Sequence, residues 1–244
     1  MSISAIGGPA SGGYYLPSTA NMILDLLLSN PLIAIAWIVA LISSLTFHEF
    51  AHALVGKWRG DDTAEQMGRL TLNPLAHLDL VGTLLLLTVG FGWAKPVPFD
   101  PQKLKHPIQD GVVIALAGPA ANLFLAVLAA GAFRALAVSG SLDFNSALPM
   151  FLVLMVFVNL MLLFFNLVPI PPLDGSKVLD AVFYGANMPK ARMFLNVYGP
   201  KILLGLVILS LLTSINVFFF VSTPALFACE QMLGGACLQV LSGI

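Results

Sequence analysis

The chain has 244 residues, of which 58% are hydrophobic and only 9% are charged, and its formal net charge is −1. Soluble globular domains carry roughly 25% charged residues, so this composition excludes an ordinary soluble domain and indicates a polytopic membrane protein. No basic patch with interleaved aromatic residues is present, which argues against nucleic-acid binding, and the first thirty residues contain no Lys or Arg that would mark a signal peptide.

Four segments of the chain are apolar enough to form spanning helices. They follow a loop rich in Gly, Pro and Ser over 1–20 and a short interfacial or re-entrant helix over 21–30. The predicted spans are residues 32–56, 111–138, 149–168 and 201–221. Residues 80–93 are apolar but shorter than the roughly 20 residues that a spanning helix needs. Residues 64–100 are therefore predicted to form a re-entrant or β-hairpin element, and residues 224–243 to cap the bundle or partly re-enter it.

These elements predict an all-α polytopic membrane protein with about four spanning helices, the re-entrant or β-hairpin element, and short interfacial segments at both ends of the chain. We expect a single membrane-embedded domain over 1–244. Its core is predicted to be residues 31–180, with residues 1–30 and 201–244 as accessory segments.

The basic residues predict the orientation of the bundle. If the segment after the first span is cytoplasmic, then every one of the 11 basic residues except Arg134 lies on that side. This is the positive-inside pattern, and it suits a prokaryotic plasma membrane with both termini outside. Cys229 and Cys237 then lie on the outer side, where a disulfide is chemically permitted.

Ionisable residues interrupt the first span. Residues 31–47 carry no charge, and then His48, Glu49 and His52 follow within five positions. Ionisable groups at membrane depth usually face a cavity and have a function. Histidines four apart lie on one helix face and can bind one zinc ion, and the glutamate between them can serve as general base. Ordinary core or surface histidines are the alternative, which the lack of partners in an apolar helix disfavours.

A third ligand is expected, because catalytic zinc sites usually have three protein ligands and a water. Asp174 follows the third span, after Pro169, Pro171 and Pro172 have broken the helix. Broken backbone at membrane depth lines cavities or is buried in protein. The topology brings Asp174 to the same cytoplasmic half as the histidines. The alternative is an ordinary turn aspartate before Gly175.

Other polar residues are secondary candidates. His77 and Asp79 are the rival metal ligands, although loop or capping hydrogen bonds explain them more simply. Asn166 could donate to a developing oxyanion or cap the backbone freed near the prolines. Asn122 is the second candidate for a substrate or oxyanion contact, and it could instead bond across helices.

These motifs together resemble the site-2 protease family of intramembrane zinc metalloproteases. The resemblance covers about residues 45–180. The matching residues are His48-Glu49-Phe50-Ala51-His52, Gly118-Pro119-Ala120-Ala121-Asn122, and the run 166–175, which reads Asn-Leu-Val-Pro-Ile-Pro-Pro-Leu-Asp-Gly.

The resemblance implies a three-span core that holds one zinc ion through His48, His52 and Asp174, with Glu49 as base. It implies cleavage of transmembrane protein helices within the lipid bilayer, and a substrate role for Asn166 and Asn122. Residues 64–100 would match the family's membrane-associated hairpin, proposed to pair with an unwound substrate strand. No inserted PDZ domain is expected.

Two other functions are compatible with a buried zinc site. A zinc transporter or sensor would also use broken helices and buried ligands, but transporters usually show internal repeats or polar residues across the bilayer. Here the outer halves of the spans are apolar, which favours a one-sided reaction chamber. A catalytically inactive binding module is disfavoured by the intact set of four polar residues.

Overall fold

A computed structural model describes residues 28, 30–89, 92–143, 146–213 and 217–241. The loop predicted over 1–20 and nearly all of the interfacial helix predicted over 21–30 lie outside these residues. We number the α-helices of the described part in chain order. They are α1 (Pro31–Arg59), α2 (Thr63–Gln66), α3 (Leu80–Val89), α4 (Pro107–Val138), α5 (Ala147–Asn166), α6 (Gly175–Gly185), α7 (Pro189–Leu212), α8 (Phe219–Leu233) and α9 (Ala236–Leu241).

Four of these helices, α1, α4, α5 and α7, are long and apolar enough to cross a membrane. This confirms the prediction of an all-α, multi-pass membrane protein. Local sequence sets several helix ends. The Asn30 side chain accepts a hydrogen bond from the Ile33 backbone N–H, and Pro31 stands at the first turn of α1. Gly60 ends the same helix in the left-handed conformation, with φ of 107°.

The bounds predicted for the fourth span were wrong. The helix runs over Pro189–Leu212 rather than 201–221, and residues from Phe219 onward belong to α8. The predicted span began one residue after Pro200, whereas α7 contains that proline in its interior. Membrane helices tolerate proline because neighbouring groups satisfy the freed backbone. Arg192, which the prediction left outside the span, lies in the first turns of α7 and pairs with Asp180 of α6 at 2.8 Å.

The described part of the element over 64–100 is partly helical and does not form a β-hairpin. It contains the short helices α2 and α3 and a 3₁₀ turn over Pro74–Ala76. After α3 the chain returns in extended form, and we call residues 92–100 the return segment. In the described part of this element, β pairing is limited to one antiparallel bridge, between Leu78 and Ala94. The ten residues of α3 are too few to span a bilayer.

The centre of the bundle consists of α1, α4 and α5, which pack against one another. Small residues permit close approach between these helices: Ala34 and Ala40 of α1 and Ala126 of α4 are fully buried. The segment predicted to cap the bundle forms α8 and α9, and α8 packs against α5 and α4. A disulfide between Cys229 and Cys237 joins α8 to α9.

The chain between α5 and α6 positions Asp174 over the bundle. It breaks at the prolines after residue 166, and the peptide bond between Pro171 and Pro172 is cis. Gly175 then starts α6 against the end of α5. A Cβ on Gly175 would lie 2.9 Å from the Val168 carbonyl oxygen and closer still to that of Leu167. Glycine is therefore required for this turn, which brings α6 against α4.

Candidate metal centre

Three potential ligand atoms from two distant parts of the chain meet between α1 and the start of α6. The Nε2 atoms of His48 and His52 are 3.0 Å apart. The Oδ2 atom of Asp174 lies 3.2 Å from Nε2 of His48 and 3.3 Å from Nε2 of His52. Both histidines are less than a tenth exposed, and the Asp174 side chain is 19% exposed. Among the His, Cys, Asp and Glu residues in the described part of the chain, these three form a group whose geometry fits a metal ion.

The remaining hydrogen bonds of the histidines fix their tautomers. Nδ1 of His48 lies 2.7 Å from Oδ1 of Asn122, and Nδ1 of His52 lies 2.7 Å from the Ile114 carbonyl oxygen. Because both partners are oxygens that accept, both Nδ1 atoms carry the proton and donate. The Nε2 atoms of the neutral rings are then left as unprotonated lone pairs. This is the usual outer-shell arrangement of histidines that bind a metal.

The arrangement of acceptors fits a zinc ion. Two ligand atoms that each lie about 2.0–2.1 Å from one tetrahedral ion are about 3.3 Å apart, which is close to the three separations at this site. Oδ2 of Asp174 is buried and has no hydrogen-bond donor among the described residues. Three acceptors that face one another without a donor repel, and a cation between them removes that repulsion.

Gly118 of α4 supplies the space beside the imidazoles. A Cβ at this position would lie 2.5 Å from Cε1 and 2.6 Å from Nε2 of His48, and nearer still to Nε2 of His52. Pro119, which follows it, has no N–H and frees a backbone carbonyl in this turn. The small-residue motif predicted to allow close helix approach therefore lies directly against the metal-binding atoms.

Asn122 lies behind His48 rather than in a position to meet substrate. Its side chain is fully buried, and its Nδ2 atom donates to Oδ1 of Asn159 at 2.9 Å and to the Ser44 carbonyl oxygen at 3.4 Å. Nδ2 of Asn159 in turn lies 2.8 Å from Oγ of Ser44. Sequence analysis missed Asn159 and Ser44. Their signal was a polar residue in the middle of an otherwise apolar span.

A cavity of about 370 Å³ opens beside the three ligand atoms. Glu49, Asn166 and Asp174 line it, whereas Asn122 does not. The Nδ2 atom of Asn166 donates to the Leu162 carbonyl oxygen at 3.1 Å, so one of its two N–H groups is used within α5. Apolar side chains from α1, α4 and α5 complete much of the wall, and they are Leu41, Leu45, Ile114, Ala115, Leu162 and Phe165.

The rival ligands have structural roles in the element over 64–100. His77 is fully buried, and its Nε2 atom lies 2.7 Å from the Thr71 carbonyl oxygen, to which it donates. Oδ1 of Asp79 accepts from the backbone N–H of Gly82 at 2.8 Å and caps α3. These are the loop and capping hydrogen bonds that sequence analysis gave as the simpler interpretation.

Comparison with known proteins relates the chain to zinc metalloproteases. The sequence profile described as peptidase family M50 matches residues 136–213, which include Asp174. A Bacillus subtilis (strain 168) protein named "Putative zinc metalloprotease YwhC" is 43% identical over 163 residues, which are 64% of this chain and 74% of that protein. No solved structure matches the chain.

Two mycobacterial relatives share the name Rip2, with the same description as a zinc metalloprotease. The one from Mycolicibacterium smegmatis (strain ATCC 700084 / mc(2)155) is 38% identical over 143 residues, 56% of this chain and 53% of that protein. The one from Mycobacterium tuberculosis (strain ATCC 25618 / H37Rv) is 32% identical over 150 residues, 59% of this chain. The alignment thus spans about half the length of each Rip2 protein.

Substitution of Gly118 by Ala should weaken zinc binding, because the added methyl group overlaps both imidazoles. We expect the affinity for zinc to fall by roughly 10–100-fold or more, which is the loss typical when groups around the metal ligands are disturbed. The matched control is Gly131→Ala on the same helix, where a Cβ meets no atom within 4 Å. Competition titration with a chelator measures both affinities. Equal affinity in the two variants would contradict the close packing of Gly118 on the metal-binding atoms.

Substitution of Asn122 by Ala should also weaken zinc binding, because it leaves the Nδ1–H of His48 without an acceptor. A loss of about 10–100-fold is expected, and Asn122→Asp, which keeps an acceptor oxygen, should bind zinc more tightly than Asn122→Ala. Asn196→Ala is the control, since Asn196 does not line the cavity and its Nδ2 atom donates to the Arg192 carbonyl oxygen of its own helix. The same chelator titration decides the matter, and wild-type affinity in Asn122→Ala would show that the His48 contact is dispensable.

Proposed function

Because the chain belongs to peptidase family M50, the site-2 protease family of intramembrane zinc metalloproteases, we propose that His48, His52 and Asp174 hold its zinc ion. The protein is a zinc metallopeptidase, and one zinc ion is its cofactor. The observation that supports this ligand set is the triangle of two unprotonated imidazole nitrogens and one carboxylate oxygen, with edges of 3.0–3.3 Å.

Glu49 is proposed as the general base. It follows His48 in α1, lines the cavity, and is 9% exposed. Zinc, when bound, supplies a Lewis acid that lowers the pKa of water and polarises the scissile carbonyl group. The Glu49 carboxylate accepts the proton of the attacking water and returns it to the leaving amine. Many of the side chains that line the cavity are apolar, and a less polar environment strengthens these electrostatic interactions.

The two asparagines receive different proposed roles. Asn166 lines the cavity and retains one side-chain N–H beyond its bond to α5, so it is the candidate donor to a developing oxyanion. Asn122 is a positioning residue for His48, because its amide is used inside the protein. This replaces the substrate contact predicted for Asn122 from sequence.

The substrates are proposed to be helices of transmembrane proteins, which unwind locally so that an extended peptide reaches the cavity. We also propose a plasma-membrane location with the cavity open toward the cytoplasm and both termini outside. The distribution of basic residues supports this orientation, since only Arg134 lies near the opposite ends of the spans.

The proposed domain organisation is a single catalytic unit with its core in residues 31–180. All proposed ligands and Glu49 lie in that range, and α1 and α6, which carry them, both pack against α4. The segment 201–244 is accessory in this proposal. It includes α8, which packs against both α5 and α4.

Substitution of Glu49 by Gln should remove cleavage while zinc stays bound. Loss of general base catalysis lowers the rate by about 10²–10⁴-fold, and the glutamine amide keeps the size of the original side chain. Glu65→Gln is the control, because Glu65 is exposed and pairs with Lys57. The assay compares cleavage of single-span membrane proteins with zinc content by elemental analysis. A Glu49→Gln variant as active as Glu65→Gln would refute the base assignment.

Substitution of Asp174 by Asn should reduce bound zinc, because a neutral amide is a much weaker ligand than a carboxylate. Asp180→Asn, six residues further along the chain in α6, removes a carboxylate that pairs with Arg192 and serves as control. Elemental analysis after dialysis gives zinc per chain for both variants. If Asp174→Asn retains full zinc, another side chain is the third ligand, and His77→Ala is then the variant to measure.

A further inference from the structure

The return segment forms one wall of the cavity beside Glu49. Seven of its nine residues line that cavity: Gly92, Trp93, Ala94, Pro96, Val97, Pro98 and Phe99. It has no regular secondary structure beyond the bridge at Ala94, and its two prolines cannot donate backbone hydrogen bonds. A wall built in this way needs contacts from outside the segment to hold one conformation.

Arg69 holds the first half of the return segment. Its side chain is buried, with the residue only 5% exposed, and its Nη2 atom donates to the carbonyl oxygens of both Lys95 and Pro96, the latter at 3.2 Å. One guanidinium thus bridges two successive carbonyls, which a lysine ammonium on its flexible chain does not reproduce. The Lys95 backbone N–H also donates to the His77 carbonyl oxygen at 2.7 Å.

Asp61 holds the second half. It is 2% exposed, and its Oδ2 atom accepts from the Asp100 backbone N–H at 2.6 Å, while Oδ1 accepts from that of Thr63 at 3.0 Å. A carboxylate that accepts backbone hydrogen bonds is a strong anchor. The two anchors thus come from the short stretch that follows α1, the helix that carries Glu49.

The burial of Arg69 has a cost that its hydrogen bonds do not fully offset. Its Nε atom is buried without a hydrogen-bond partner among the described residues. Burial lowers the pKa of the guanidinium from its ordinary value, and the negative charge of Glu49 acts in the opposite direction. The cation therefore lies within electrostatic reach of the proposed base. A buried ion is weak evidence for stability, and a role in fixing one conformation is the better-attested use.

We propose that Arg69 is a positioning residue for the reaction: it fixes the return segment as a cavity wall, so that a substrate peptide meets Glu49 in one register. Asp61 is the second anchor of the same wall. This inference rests on the proposed function, because it assigns the cavity to substrate. A loosened wall leaves the zinc ligands in place but misplaces the peptide, and a displacement of about 1 Å costs roughly 10²-fold in rate.

The chain allows a direct test of the wall with a single thiol. Its two cysteines are joined to each other, so Val97→Cys introduces the one free thiol, at a position that lines the cavity. The maleimide labelling rate of Val97→Cys is measured in the full-length, zinc-loaded protein in detergent, with Arg69 intact, with Arg69→Gln and with Arg69→Lys. Leu72→Cys, which is exposed and outside the cavity, is the control thiol.

Arg69→Gln should raise the labelling rate at Val97→Cys by about tenfold or more, as expected for loss of hydrogen bonds from a charged donor. Labelling at Leu72→Cys and zinc content should not change, and Arg69→Lys should restore the slow rate only in part. In the cleavage assay without added thiols, Arg69→Gln should raise KM and lower kcat/KM, and Arg69→Lys should restore both only in part.

Unchanged labelling at Val97→Cys, or loss of zinc together with faster labelling at both thiols, would overturn the inference. Asp61→Asn provides a second variant if Arg69→Gln does not fold, and it should likewise expose Val97→Cys but not Leu72→Cys. Labelling needs no substrate, so its failure is distinct from that of the proposed function. A fully active Glu49→Gln variant would refute the base assignment and leave the labelling result standing.

Discussion

The structure depends on a cluster of three hydrogen-bond acceptors buried in an apolar helical bundle. Two imidazole nitrogens and a carboxylate oxygen lie within 3.3 Å of one another, and the oxygen has no donor among the described residues. Such an arrangement is unfavourable in a low-dielectric interior unless a cation occupies its centre. A zinc ion at this site therefore accounts for features that would otherwise destabilise the fold, and its binding would link α1 to the start of α6 through the side chains of His48, His52 and Asp174.

Hydrogen bonds to α4, supported by α5, hold the two histidines of the cluster in place. The Nδ1–H groups of both histidines are satisfied by α4, one through Asn122 and the other through the Ile114 carbonyl oxygen. Asn159 of α5 then supports Asn122, so the polar network joins the three helices that form the core. Gly118 gives the imidazoles room, and Gly175 turns the chain so that Asp174 reaches them. Glu49 lines a cavity beside the cluster, so the proposed general base lies next to the proposed ligands.

Sequence predicted the local parts of this site and missed the contacts between helices. His48, Glu49 and His52 are recognisable because helical spacing alone puts the histidines on one face, and Asp174 because prolines break the chain before it. The role of Asn122 depends on its distance from His48, which is 74 positions away and leaves no local pattern. The start of α7 was missed because its first turns are polar and Pro200 lies inside it. The return segment was expected in a re-entrant or β-hairpin element, and Arg69 was not recognised, because its partners are backbone carbonyls.

The most direct test of the central claim is zinc K-edge X-ray absorption spectroscopy on the purified protein. Two nitrogen ligands and oxygen ligands at about 2.0–2.2 Å, without sulfur, are expected from His48, His52 and Asp174. The Asp174→Asn variant should lose this spectrum together with its zinc. Sulfur scattering at about 2.3 Å, or a spectrum that is unchanged by Asp174→Asn, would contradict the proposed ligand set.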